Sequence, residues 1–289
     1  MKFLIFGDLH GQIPNAYFED YNTIIAPGDF CSSGDKEGTI RKFMFQVIKE
    51  KKKDSTFDKE WFDLCGKKEA KRLYEQSITD GHSVLENICS LGKQVYTVPG
   101  NADRTPNKNT KWGYLKKNHF KRVIKGLKNF NNTHLKIVDI GDYQIIGYGL
   151  SSGPEFPQTE NDKKMLSDKK FKDKKKQYDK YSKKLNSLFS KATKPVIFIS
   201  HNVPYNTPLD MIDNPESPRN GEHFGSVIAK EMIEKYQPII CIAGHMHEHF
   251  NKYQMGKTVA INAGFGSNVN ILLELEGNTI KNLEFKKGE

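Results

Sequence analysis

Gly7-Asp8-Leu9-His10 follows the apolar run Phe3-Leu4-Ile5-Phe6 and is followed by Gly11. A short run of large apolar residues that stops at glycine predicts a buried strand. Asp8 and His10 lie two apart at its end. In extended chain such residues project to the same side. A carboxylate and an imidazole so placed are a ready pair of metal ligands. Asp-x-His alone reads equally well as a turn cap beside a surface histidine, so the rest of the chain must decide.

The same device recurs along the chain. Asn22-Thr23-Ile24-Ile25-Ala26-Pro27-Gly28-Asp29 is an apolar strand closed by Pro-Gly and an aspartate. Gln94-Val95-Tyr96-Thr97-Val98-Pro99-Gly100-Asn101-Ala102-Asp103 repeats it with an asparagine. Pro195-Val196-Ile197-Phe198-Ile199-Ser200-His201-Asn202 ends in histidine, and Pro238-Ile239-Ile240-Cys241-Ile242-Ala243-Gly244-His245-Met246-His247 ends in a histidine pair. In α/β sheets, ligands collect at the carboxyl ends of strands, where residues distant in sequence can meet.

Between these strands, Ile40, Phe43, Met44, Val47 and Ile48 have helical spacing. Residues 58–91 predict two helical pieces separated at Thr79-Asp80-Gly81, and residues 112–128 a helix with Trp112, Leu115, Phe120, Val123, Ile124 and Leu127 inward. Strands are expected at 134–138 and 144–150, and again near 257–263, 269–275 and 279–285. A helix should open at Gly225 or Ser226 and run to Tyr236. Residues 161–192 read as a lysine-rich helix with a thin apolar stripe of Met165, Phe171, Tyr178, Tyr181, Leu185 and Leu188, resting lightly on the body or partly detached.

The 289 residues suffice for one large α/β domain or two small ones. The strand-end motifs run from residue 7 to residue 247, which argues for a single domain over 1–289 with a lysine-rich helical insertion at 161–194. The net charge of +10 is concentrated there: residues 161–194 hold thirteen Lys against four Asp. No apolar run approaches the roughly 20 residues that span a bilayer. Cys31, Cys65, Cys89 and Cys241 form no C-x-x-C pair, which argues for reduced thiols and against a disulfide frame or zinc knuckle. With no basic leader, the expected location is the cytoplasm.

The pooled strand-end set offers carboxylate oxygen, amide oxygen and imidazole nitrogen, but no thiolate. That suits Mn²⁺, Fe²⁺, Zn²⁺ or Ni²⁺ better than Ca²⁺. So many ligating atoms exceed one transition ion's needs; two ions about 3.5–4 Å apart, sharing one carboxylate, would use them all.

Asp8-Leu9-His10, Gly28-Asp29, Gly100-Asn101-x-Asp103, His201 and Gly244-His245-x-His247 resemble, in order, the motifs of the calcineurin-like metallophosphoesterases. The resemblance implies an α/β fold, a four-layer αββα sandwich of two packed mixed β-sheets flanked by helices. It implies two divalent ions, manganese first among them. One ion is held by Asp8, His10, Asp29 and His247, the other by Asp29, Asn101, His201 and His245. It implies a phosphoesterase, more a phosphodiesterase than a monoesterase, acting on nucleotide-like or other small diesters by attack of metal-activated hydroxide on phosphorus. Many relatives read Gly-Asn-His-Asp or Gly-Asn-His-Glu, and that histidine assists the leaving group. Ala102 stands here instead, and in this the chain resembles the compact prokaryotic phosphodiesterases, where the position is not histidine. Asp103 and His223 are the candidates for leaving-group or substrate contacts in its place. Tyr205 belongs to the expected pocket rim, as packing or as a base-stacking ring, and His249 is expected to point away.

Two other readings remain. The basic 161–194 segment, with Phe171, Tyr178 and Tyr181 interleaved, could follow a phosphate backbone and make the chain nuclease-like or RNA/DNA-associated. A weakly active scaffold of the same fold is the other, though such proteins usually lose ligands and this one keeps them.

Overall fold

The computed structural model describes residues 1–34 and 60–288. The helix expected from Ile40 to Ile48 lies outside them. The described chain forms two six-stranded mixed sheets. The first contains β1 (Lys2–Phe6), β2 (Thr23–Ala26), β3 (Gln94–Thr97), β4 (Phe130–Asn132), β11 (Val269–Glu276) and β12 (Thr279–Lys287), in the order β12-β11-β1-β2-β3-β4. The second contains β5 (Ile137–Ile140), β6 (Tyr143–Tyr148), β7 (Val196–Asn202), β8 (Ile240–Gly244), β9 (Asn251–Met255) and β10 (Thr258–Asn262), in the order β5-β6-β7-β8-β10-β9. In each sheet four successive strands are parallel, with antiparallel strands outside them.

The strand sequences explain this layering. Strands of parallel sheets are covered on both faces, so they read as continuous apolar runs. In β1, Leu4 and Phe6 face an outer apolar layer, whereas Phe3 and Ile5 face an inner one. Ile197 and Ile199 of β7 and Ile240 and Ile242 of β8 enter that same inner layer from the second sheet, while Phe198 and Cys241 face outward. The two sheets therefore share one apolar middle.

Helix α1 (Gly66–Ser90) covers the first sheet through Tyr74, Ile78, Leu85 and Ile88. Helices α4 (Asp168–Phe189) and α5 (Val227–Tyr236) cover the second, with Leu185, Leu188 and Phe189 beside Ile228, Met232 and Ile233. Short helices α2 (Phe120–Val123) and α3 (Glu160–Lys164) complete the set. This is the four-layer αββα sandwich that the motifs imply.

Three local expectations are corrected. Thr79-Asp80-Gly81 does not separate two helices: α1 runs through it, and the earlier piece is a 3-10 turn at Trp61–Asp63. Gly81 is there for contact, since a Cβ would meet the Cys31 Sγ at 2.5 Å. The 112–128 segment buries its apolar residues as expected, but only Phe120–Val123 is helical. Its backbone is committed elsewhere: Asn107 N–H donates to Leu115 O (3.0 Å), and both His119 and Phe120 N–H donate to Arg104 O (3.1 Å). The lysine-rich segment is two helices, and its C-terminal half is docked rather than detached. Phe189 stacks on Tyr236 at 5.0 Å, and the Tyr178 hydroxyl donates to Glu231. Strand β9 has no signal in the sequence, because its residues are mostly exposed and carry no apolar alternation. Among the described residues no helix is long and apolar enough to cross a membrane.

His134 gives the fold a pH dependence outside the ligand cluster. Its Nδ1 accepts the Gly149 N–H at 2.9 Å, and burial followed by Lys136 lowers its pKa from 6.5 to about 4. The folded chain keeps this imidazole neutral while the unfolded chain protonates it, so stability falls as pH drops from 6.5 toward 4. We expect His134→Gln, which keeps an acceptor, to flatten the stability curve in that window by up to about 1.4 kcal/mol per pH unit. Urea melts of both proteins across the window measure it, and parallel curves would contradict it.

Candidate metal centre

The carboxyl ends of β1, β2, β3, β7 and β8 deliver the foreseen side chains to one place. Asp8, His10 and His247 form one group and Asp29, His201 and His245 another, each with its ligating atoms within 4.8 Å of one another. Asp29 lies between them: its Oδ2 is 3.4 Å from His10 Nε2 and 3.5 Å from His201 Nε2. His10 Nε2 is 3.2 Å from His247 Nε2, and His247 Nε2 is 3.3 Å from Asp8 Oδ2. Asn101 joins the second group, its Oδ1 2.9 Å from His201 Nε2.

Local backbone aims each group. His10, Asp29 and His245 have φ of 45°, 59° and 72°, a left-handed region that non-glycine residues seldom adopt. The strain is held by hydrogen bonds: Leu9 and His10 N–H both donate to Asp29 O, at 3.1 and 2.8 Å. His245 N–H donates to Asp8 Oδ2 at 2.8 Å. Glycines flank the turn residues because side chains would not fit. A Cβ on Gly100 would lie 2.1 Å from Asp29 Oδ1, and one on Gly244 would lie 2.1 Å from Asp8 Oδ1. His201 Nδ1–H donates to Pro27 O at 3.0 Å, which fixes the tautomer and turns Nε2 toward the cluster.

The electrostatics are those of a cation site. Asp8 and Asp29 are buried, and among the described residues Asp8 Oδ1 has no hydrogen-bond partner. A buried carboxylate oxygen left open in this way fits the role of a cation ligand. Burial would raise the Asp29 pKa, but the imidazoles of His201 and His10 outweigh it and hold the carboxyl well below its usual range. Burial likewise works against charge on His201, yet Asp29 pulls its pKa up; His245 goes the other way, lowered by burial and by His201. Four imidazoles, two carboxylates and an amide, without thiolate, fit a pair of hard or borderline divalent ions.

Asp103 sits underneath. Fully buried, it accepts the N–H of Asp29 (2.9 Å), Phe30 (2.7 Å), Cys31 (3.1 Å) and Gly100 (2.7 Å), tying the β2 and β3 turns together. Burial and the nearby Asp29 charge push its pKa up to about 6. Arg104 continues the brace, donating to Ser77 Oγ (2.7 Å) and Ser32 O (2.6 Å). His223 lies outside the cluster, its Nδ1 2.7 Å from Asp210 Oδ1, on the wall of a cleft of about 1490 Å³ that reaches Asn101. Tyr205 lines the same cleft. His249 is turned to Met211 O at 2.6 Å. Cys31 is buried, and burial raises its pKa well above the thiol range.

Three contributors escape a reading of the sequence. Phe265 stacks on His247 at 4.3 Å between ring centroids. Asp210 anchors His223, and Glu155 accepts the Ser226 hydroxyl (2.6 Å) and the Val227 N–H (2.9 Å) at the start of α5. Gly264-Phe265-Gly266 is the one local signal; the others depend on long-range pairing.

Residues 1–249 match the family model described as calcineurin-like phosphoesterase, so the chain belongs to that family of metal-dependent phosphoester hydrolases, whose centre is dinuclear. It is similar to an uncharacterized protein of Methanocaldococcus jannaschii, 27% identical over 187 residues, covering 63% of this chain and 70% of the relative. A solved crystal structure covering 100% of this chain and 99% of its own superposes with a TM-score of 0.62 at 15% identity. The crystal structure of the Thermus thermophilus protein TT1561 does so with a TM-score of 0.51 at 14% identity, over 99% of this chain and 98% of that one. At such identities these two structures speak for the fold alone.

Replacing Asp103 tests its part in the centre. Asp103→Asn keeps one acceptor oxygen but sets an NH₂ against buried N–H donors, a mismatch costing about 1–3 kcal/mol per unsatisfied group. We expect a lower melting temperature together with a lost or weakened metal equivalent by elemental analysis. Full metal content at an unchanged melting temperature would contradict the bracing role.

Proposed function

We propose that the chain is a dinuclear phosphodiesterase that hydrolyses nucleotide-like or other small phosphodiesters. The single observation that carries this reading is the cleft of about 1490 Å³ that continues from Asn101, at the edge of the ligand cluster. It far exceeds the space a phosphoryl group needs, so the substrate has a bulky group on that side. Residues 1–289 would act as one catalytic unit, with the 161–194 segment inserted beside the cleft.

Asp8, His10, Asp29 and His247 would hold one ion, and Asp29, Asn101, His201 and His245 the other. Mn²⁺ is the first choice, and Fe²⁺, Zn²⁺ and Ni²⁺ suit the same donors. When bound, the pair supplies Lewis-acid charge for the phosphoryl oxygens and acidifies water near neutral pH. The chain's own part is positional. The buried Asp103 brace keeps Asp29 and Asn101 in register, and the Pro27 carbonyl keeps His201 pointed at the centre. Tyr205 and Phe224 offer aromatic surface for the larger substituent in the cleft.

One observation favours the nuclease-like reading as the alternative. Lys174, on the basic helix α4, lines the same cleft. Steady-state kinetics with Mn²⁺ separates the readings, using thymidine 5′-(p-nitrophenyl) phosphate, p-nitrophenyl phosphate and a short single-stranded RNA. We expect the nucleoside diester to exceed the monoester at least about tenfold in kcat/KM, each tenfold being about 1.4 kcal/mol of transition-state binding. Preference for the monoester would contradict the proposal, and preference for RNA with a steep salt dependence would support the alternative.

A further inference from the structure

Resting on the phosphodiesterase reading, we propose that His223 protonates the leaving-group oxygen and that Asp210 is the buried residue that positions it. Hydrolysis of a diester with an alkoxide leaving group needs a proton at that oxygen, and Ala102 cannot supply one. Asp103 has its oxygens taken by four backbone N–H groups, is fully buried, and does not line this cleft.

The remaining imidazoles are accounted for. His10, His201, His245 and His247 belong to the ligand cluster. His82, His119 and His249 are bonded to the carbonyls of Val123, Tyr114 and Met211, and His134 accepts the Gly149 N–H. Among the described residues His223 is the one histidine on the cleft wall, and about a third of its side chain (32%) is exposed there.

The seat beneath it is built for an imidazole that gives up a proton on its outer side. Asp210 is fully buried. Its Oδ1 accepts the Thr207 N–H (2.8 Å) and lies 2.7 Å from His223 Nδ1; its Oδ2 accepts the N–H of Asn206 (2.9 Å) and Gly225 (2.8 Å). Three backbone N–H groups hold this carboxylate in place as an acceptor, so Nδ1 carries its hydrogen toward Asp210 and Nε2 is left for the cleft. A Cβ at Gly225 would lie 2.8 Å from Asp210 Oδ2, so the turn admits the carboxylate only because it is glycine.

The seat is also coupled to the ligand cluster. Phe224 N–H donates to Asp210 O (2.9 Å), Tyr205 N–H to Ser226 O (3.0 Å) and Ser226 N–H to Val203 O (2.7 Å). Asn202, next to His201, donates through Nδ2 to Phe224 O (3.0 Å), next to His223. One strand end thus fixes both a ligand and the proposed donor.

In the step assigned here, the oxygen of water bonds to phosphorus as the P–O bond to the leaving group breaks. The electron pair of that bond goes to the leaving oxygen, which takes the Nε2 proton of the imidazolium. The imidazole, still donating through Nδ1 to Asp210, regains a proton from the one the attacking water releases.

The test compares two diesters that share a thymidylyl half, with Mn²⁺ present and metal content measured for every variant. Thymidine 5′-(p-nitrophenyl) phosphate expels a stable phenolate and needs little help; thymidylyl-thymidine expels an alkoxide and needs a proton. His223→Gln should lower kcat/KM about a hundredfold or more on the dinucleotide and less than about tenfold on the aryl ester. Asp210→Asn should show the same bias, and added imidazole should restore part of the dinucleotide activity of His223→Ala. Equal losses on both substrates at full metal content, or no loss at all, would overturn the proposal. A metal-loaded parent that cleaves neither diester would instead overturn the reading beneath it.

Discussion

One carboxylate oxygen, Asp29 Oδ2, lies within 3.5 Å of imidazole nitrogens from two different sheets, and the rest of the centre is arranged about it. Asp29 is buried in a left-handed turn, an arrangement that costs both desolvation and backbone strain. Both costs are offset locally. Ala102 N–H donates to Oδ1 at 2.6 Å, His10 N–H holds the carbonyl, and Asp103 binds the amide from beneath. Among the described residues one buried Asp8 oxygen has no hydrogen-bond partner. Two divalent ions would complete it.

The fold follows from the need to hold such a cluster rigidly. Strands covered on both faces cannot shift without exposing a whole apolar layer, so their tips are fixed reference points. β1, β2 and β3 come from one sheet and β7 and β8 from the other, with Phe3, Ile5, Ile199 and Ile242 packed between them. Turns that begin immediately after these strands need few residues to aim a side chain. Their glycines are set by Asp8 and Asp29 themselves, whose oxygens occupy the space a Cβ would need. Tight packing at the strand tips thus turns five separated sequence motifs into one site.

The same packing explains what is legible in the sequence alone. Apolar runs ending in Asp, Asn or His are local signals, and the strands and the convergence of their end residues can be read from them. Elements set by distant partners cannot. Apolar spacing over 112–128 marks inward residues correctly, but Arg104 and Asn107 claim the backbone that a helix would have used. Gly81 reads as a break in sequence and is a contact point in space. Asp210 and Glu155 lie in unremarkable loops, and their roles exist only through His223 and the start of α5. Asp103 stands out for its place in a motif, whereas its four amide bonds come from two different turns.

In the proposed centre one oxygen of Asp29 is shared by two cations. Anomalous diffraction from a manganese-soaked crystal, recorded on both sides of the manganese edge, measures this. Two peaks about 3.5–4 Å apart are expected, with Asp29 bridging them. Asp8, His10 and His247 should surround one peak, and Asn101, His201 and His245 the other. A single peak, or two peaks with Asp29 bound to only one, would contradict it.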